Sequence, residues 1–137
     1  HRSRHNQKYW RHVPYLSFGP SSHAFAHGDH GPWRFWNERS EPRWRRLVED
    51  GTSPVAGWEK LPPRDLALEA AMLGLRTRDG LDLDFVQALS GLDLWPRNAA
   101  RLEQWRGHGW LDIDGRRILP TSGGMARADR LAVELEL

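Results

Sequence analysis

Three groups of residues could carry chemistry. In His5-Asn6-Gln7-Lys8-Tyr9-Trp10, His5 and Tyr9 stand four apart, as do Asn6 and Trp10, so on a helix each pair would share a face. An imidazole beside flat rings suits haem-iron ligation, with the rings packed on the porphyrin. The same spacing describes a solvated His next to two rings that fill core, and spacing alone favours that reading, since a His and two aromatics define no geometry. His23, His27 and His30 raise a metal site, because His pairs four apart on a helix can hold zinc. Gly28 and Asp29 would interrupt that helix and no Cys or Glu completes a ligand set, so a polar loop is the expectation. The third group is basic: Arg97, Arg101 and Arg106, followed by Arg116 and Arg117. On a recognition helix and a wing these would meet phosphates and bases. Glu103, Asp112 and Asp114 lie among them, so a solvated arginine face is preferred and no nucleic acid is expected.

Several chemistries are excluded outright. The sequence has no cysteine, hence no disulfide, no thiolate nucleophile and no cysteine-ligated iron–sulfur cluster of its own. No Gly-rich dinucleotide or phosphate loop occurs and no serine sits in a nucleophile elbow. Acid–base catalysis by Asp and Glu stays open, though nothing singles out a pair. No apolar run approaches the roughly 18 residues of a membrane span, and the opening His-Arg-Ser-Arg-His lacks a signal peptide's apolar stretch. A cytoplasmic protein is expected, with peripheral membrane attachment as the variant.

The elements that must position these residues fall into two units. At 137 residues the chain is too short for a complete α/β barrel. Residues 1–63 carry ten Arg/Lys against six Asp/Glu and 64–137 ten against twelve, and six of the seven His precede residue 31. In the first unit Val13-Pro14-Tyr15-Leu16-Ser17-Phe18 reads as a strand breaking at Gly19-Pro20-Ser21-Ser22. Residues 22–32 suggest no regular structure, Trp36 to Asp50 contains a short amphipathic helix, and 51–63 reads as a connector. In the second unit Leu66, Ala70 and Leu73 mark a helix over 65–77, Asp82 caps a helix ending at Ser90-Gly91, and Pro96 starts a third. Asp114-Gly115 suggests a type I′ hairpin, and Thr121 caps one last helix carrying Met125, Ala128, Leu131, Ala132 and Leu135.

Taken with Tyr15-Leu16-Ser17-Phe18-Gly19-Pro20-Ser21-Ser22-His23, the His5–Trp10 run resembles a paired signature of the HemW-like haem chaperones. Those proteins are similar in sequence to the oxygen-independent coproporphyrinogen III oxidases of the radical-SAM family. In them the first motif is the HNxxYW element associated with haem binding. The second reads approximately G-x-G-P-G-A-H, on a late strand of the radical-SAM barrel, and here Ser17, Ser21 and Ser22 replace its small residues. The similarity continues through Trp36-Asn37, through Leu73-Gly74-Leu75-Arg76-Thr77 and Gly80-Leu81-Asp82-Leu83, and into the closing hairpin and helix.

The resemblance implies an α+β chain. Residues 1–50 would be a fragment of the end of a radical-SAM α/β barrel, 51–63 the connector, and 64–137 a winged-helix-like domain. His5 would be the axial ligand of haem iron, with Asn6, Tyr9 and Trp10 as further haem contacts and Gly19 in a cofactor-binding loop. Arg4 and Arg11, by charge, would pair with haem propionates. The family's CxxxCxxC motif is not in the sequence, so a [4Fe-4S] cluster and S-adenosylmethionine would belong to the parent protein only. The implied function is haem binding and delivery to acceptor proteins, in company with the barrel and with no enzymatic activity of this chain alone. Two alternatives stand beside it: a fragment of a coproporphyrinogen III oxidase, and a winged-helix DNA-binding protein with a His-rich extension.

Overall fold

Six strands and six helices occupy residues 12–28 and 31–137, which the computed structural model describes. They form two compact units that divide between Leu61 and Pro62.

The first unit is an antiparallel meander. Strands β1 (His23–Gly28), β2 (Gly31–Asn37) and β3 (Val55–Lys60) pair in the order β1-β2-β3, and helix α1 (Glu41–Glu49) connects β2 to β3. Side chains alternate across β1. Phe25 is 3% exposed, beneath the rings of Tyr15 and His12. Helix α1 starts with Pro42 in its first turn and has Glu41 at its positive end and Arg46 at its negative end. It buries no residue fully.

Three expectations change here. The run Val13–Phe18 forms a single bridge, Tyr15 to Phe25, rather than a strand, since Pro14 offers no backbone donor to extend the ladder. Residues 22–32 are mostly strand, because small and polar residues of β1 pair with the aromatic-rich β2. The stretch read as a connector, 51–63, carries β3, paired with β2 from Trp33↔Lys60 to Asn37↔Val55. All three strands pair antiparallel, whereas successive strands of an α/β barrel run parallel.

The second unit runs α2 (Pro63–Gly74), β4 (Leu81–Asp82), α3 (Leu83–Ser90), α4 (Trp95–Gly107), β5 (Leu111–Asp114), β6 (Arg117–Pro120), α5 (Ser122–Met125) and α6 (Ala128–Glu134). Its core joins Ala67, Ala71 and Leu75 of the first helical segment to Leu83, Val86, Leu102, Trp105, Ile118, Leu131 and Ala132. The buried face of α2 is Leu66, Ala67, Ala70 and Ala71, and Leu73 is only half-buried. The start of α3 follows from Asp82, whose Oδ1 accepts from the backbone N–H of Asp84 and of Phe85, each at 3.1 Å. Gly91, at φ 76°, ends the helix in the left-handed region.

The hairpin expected as two strands belongs to a three-stranded sheet, ordered β4-β6-β5, because Leu81 and Asp82 pair with Ile118 and Arg117. Its hairpin turn is Gly115-Arg116 rather than Asp114-Gly115, since Asp114 pairs with Arg117. Only Gly115 has positive φ, so the type I′ form, which needs two such residues, is not adopted. The final helix is split. Thr121 Oγ1 accepts from Gly124 N–H and caps α5, but the helix stops at Ala126 and restarts at Ala128. No helix among the described residues is long and apolar enough to cross a membrane.

Candidate functional site

The loop after Phe18 is clamped to the end of β2. Asn37, 8% exposed, sits where the β2–β3 register shifts. Its Nδ2 donates to the Gly19 carbonyl and to Ser22 Oγ, both at 3.1 Å, while Ser22 Oγ donates to the same carbonyl at 2.7 Å. Backbone bonds from Asn37 N–H to Ser22 O and from Ser21 N–H to Glu38 O, both 3.0 Å, complete the clamp. These bonds hold Ser21 in the left-handed region at φ 58°, a conformation that costs a non-glycine residue roughly 1–2 kcal/mol. Gly19, the expected cofactor-loop residue, has φ 102° and a carbonyl already occupied by Ser22 and Asn37. Asn37 entered the sequence reading only as a neighbour of Trp36, because nothing local marks its link to a loop 15–18 residues away.

Imidazoles and rings gather on one face of this sheet. His23 lies against Trp36 (centroids 6.0 Å), and His27 and His12 meet Phe25 edge to face at 5.1 and 5.7 Å. His23 and His27 are on a strand, where four residues span about 13 Å, so the two imidazoles cannot share one ion as a helical pair would. No group of three metal-ligating side chains occurs among the described residues. His5, Asn6, Tyr9 and Trp10, with Arg4, Arg11 and His30, lie outside the described residues.

In the second unit the five arginines singled out for phosphate contact are largely engaged within the fold. Arg101 bonds Asn98 and Glu136, Arg106 pairs with Glu103, and Arg117 reaches Asp82 Oδ2 at 2.7 Å. Arg116 bridges Asp84 (2.5 Å), Asp93 (2.9 Å) and Gln87 (3.2 Å), tying the hairpin turn to α3 and to the start of α4. Arg97 alone of the five makes no ion pair among the described residues.

The Arg116 bridge predicts an acid response. The Arg116 guanidinium, and then the Trp95 backbone N–H, hold Asp93 below the ordinary aspartate range. With the folded value depressed, the unfolded chain binds more protons in acid, so this contribution is present above the unfolded value and is lost as pH falls through the folded one. Asp93→Asn is therefore expected to flatten the acid limb of melting temperature against pH, between roughly pH 5 and pH 2. Superimposable acid limbs in the two proteins would remove Asp93 from that role.

Comparison with known proteins bears on both units. The HemN C-terminal domain family matches residues 61–127. Proteins named heme chaperone HemW from two strains of Mycobacterium tuberculosis are each 32% identical over 126 residues, 92% of this chain and 29% of theirs. One of the same name from Synechocystis is 33% identical over 84 residues, 59% of this chain and 19% of its own. The chain thus spans less than a third of these relatives. The solved structure of Escherichia coli coproporphyrinogen III oxidase HemN, a radical SAM enzyme, shares the fold over 85% of this chain and 27% of its own, with TM-score 0.55 and 18% identity.

Proposed function

Because the chain belongs to the HemW- and HemN-like family, with the family's C-terminal domain over residues 61–127, we propose that it serves as part of a haem chaperone. The observation that carries this reading is the 32% identity to proteins named heme chaperone HemW over 92% of the chain. The donor set of the first motif fits haem as cargo. His5 supplies an imidazole for the iron, Tyr9 and Trp10 supply flat rings for the porphyrin, and Asn6 a hydrogen-bonding amide. Arg4 and Arg11 would meet the propionates, and acceptor proteins would receive the haem.

The donors do not fit an iron–sulfur cluster, since the chain has no cysteine. The cluster and S-adenosylmethionine are assigned to the parent protein. Any contact of Gly19 with that cofactor would use the side of the loop away from its engaged carbonyl. Residues 1–50 would be the end of the radical-SAM barrel, with the rest of that barrel packed on the first unit. Phe18 at 90% exposure, Leu16 at 71% and Trp58 at 62% support this, as apolar surface that a neighbouring domain would cover. The second unit is read as a winged-helix-like domain, and the cell compartment as the cytoplasm. Arg101, Arg106, Arg116 and Arg117 already face carboxylates, which speaks against duplex binding. An oxidase fragment is the less favoured reading, because the chain carries the HNxxYW element associated with haem binding in the chaperones it resembles, and its curated relatives are named heme chaperone HemW.

A haem titration followed by absorbance, on this chain and on His5→Ala, tests the proposal. The expected result is a saturable Soret shift that disappears in the variant. Indistinguishable titrations would take haem ligation away from His5.

A further inference from the structure

Between α5 and α6 the chain bends at Ala126-Arg127 and opens a groove of about 400 Å³, lined by Arg76, Met125, Ala126, Arg127, Asp129 and Arg130. Three guanidinium groups stand there, with Asp129 in the lining and Glu134 beside it as their carboxylate partners. Arg76 directs Nε and Nη2 to the same oxygen of Asp129, at 2.9 and 2.5 Å. Arg130 gives Nε to Glu134 at 2.7 Å, and Arg127 gives Nη1 to the Gly123 carbonyl at 2.8 Å. Nη1 of Arg76, Nε and Nη2 of Arg127, and both Nη atoms of Arg130 make no bond among the described residues.

Arg127 is also held in place, its guanidinium carbon 5.2 Å from the centroid of the Trp110 ring. The Arg76–Asp129 pair is exposed, 47% and 69% for the two side chains. Such pairs contribute little, so an arriving carboxylate can take Asp129's place on Arg76 at small cost. Met125 and Ala126 add an apolar wall.

We infer that this groove binds an acidic, partly apolar peptide segment of a partner protein through Arg76, Arg127 and Arg130. The planar forks of arginine match carboxylates. Their placement on three separate residues beside an apolar wall matches carboxylates spaced along a chain with apolar side chains between them. The inference is independent of haem, since none of these residues belongs to the first motif.

The test is fluorescence anisotropy of a short labelled peptide of alternating Glu and Leu, titrated with the full chain at low salt, with citrate as competitor. Saturable binding is expected, weakened about tenfold in the double variant Arg127→Gln/Arg130→Gln. The double variant Arg64→Gln/Arg97→Gln removes the same charge elsewhere and should bind as the parent does. Circular dichroism of both variants checks that the fold is retained. Undiminished binding by the groove variant would overturn the inference, as would equal weakening by the two doubles. Displacement of the peptide by citrate at matched carboxylate concentration would overturn the assignment to a peptide.

Discussion

Replacing Gly124 with alanine is expected to cost the second unit about 3 kcal/mol or more, a large share of its stability. A Cβ at that position would lie 1.8 Å from the Trp110 carbonyl oxygen and 2.9 Å from its carbon. The carbonyl cannot retreat freely, because it accepts from Thr121 N–H at 2.9 Å and from Thr121 Oγ1 at 3.0 Å. Moving it would disturb the entry to β5 and the cap of α5 together. Overpacking of a rigid core costs about 1–3 kcal/mol, and a clash with pinned backbone belongs at or above the top of that range. A domain of this size has only about 5–10 kcal/mol in hand.

A glycine series makes the cause measurable. At Gly80 an added Cβ would approach Ile118 O to 2.2 Å, so a large loss is expected there too. Gly91 has the same φ of 76° but nothing within 4 Å, so alanine there should cost only the backbone strain, about 1 kcal/mol. Chemical denaturation of the three variants should rank Gly91→Ala far above the other two in stability. Equal losses at all three positions would show that crowding is not the cause.

The second large effect is expected at Asn98, which is fully buried on α4. Its Nδ2 donates to Leu94 O at 2.8 Å and to Glu136 O at 3.0 Å, and its Oδ1 accepts from Glu136 N–H at 3.0 Å. Asn98→Leu keeps the branching at Cγ but strips these partners, and an unsatisfied buried polar group costs about 1–3 kcal/mol. We expect a loss of about 2 kcal/mol in total, since the chain around Glu136 can turn partly to water. At roughly 4–8 °C per kcal/mol the melting temperature should fall by about 10 °C. A melting temperature within about 2 °C of the parent's would mean that the clamp contributes nothing.

The sequence revealed the second unit far better than the first, for physical reasons visible in single residues. Asp82, Pro96 and Gly91 act within one helical turn of themselves, so cap and stop signals locate α3 and α4. Strand β4 has two residues, too few for any periodicity, and exists only because β6 lies beside it. Thr121 marked the start of the last helix correctly, but no local signal announces the break at Ala126-Arg127 or the close approach of Gly124 to the distant Trp110 carbonyl. Strand β1 reads His-Ala-Phe-Ala-His-Gly, whose imidazoles disguise an alternating pattern as a polar loop. The candidate site follows the same rule. Asn37 and the partners of Arg116 act across 15 to 32 residues, and no local signal announces them.

The clamp at Asn98 also sets an order of events during synthesis. Its partner Glu136 lies 38 residues further along, so the last contacts of the second unit form only once that residue has left the ribosome tunnel. Until then α4 carries an inward-facing amide with both its long-range bonds open. The nascent domain therefore stays incomplete, and within reach of chaperones and proteases, until translation has passed its final helix.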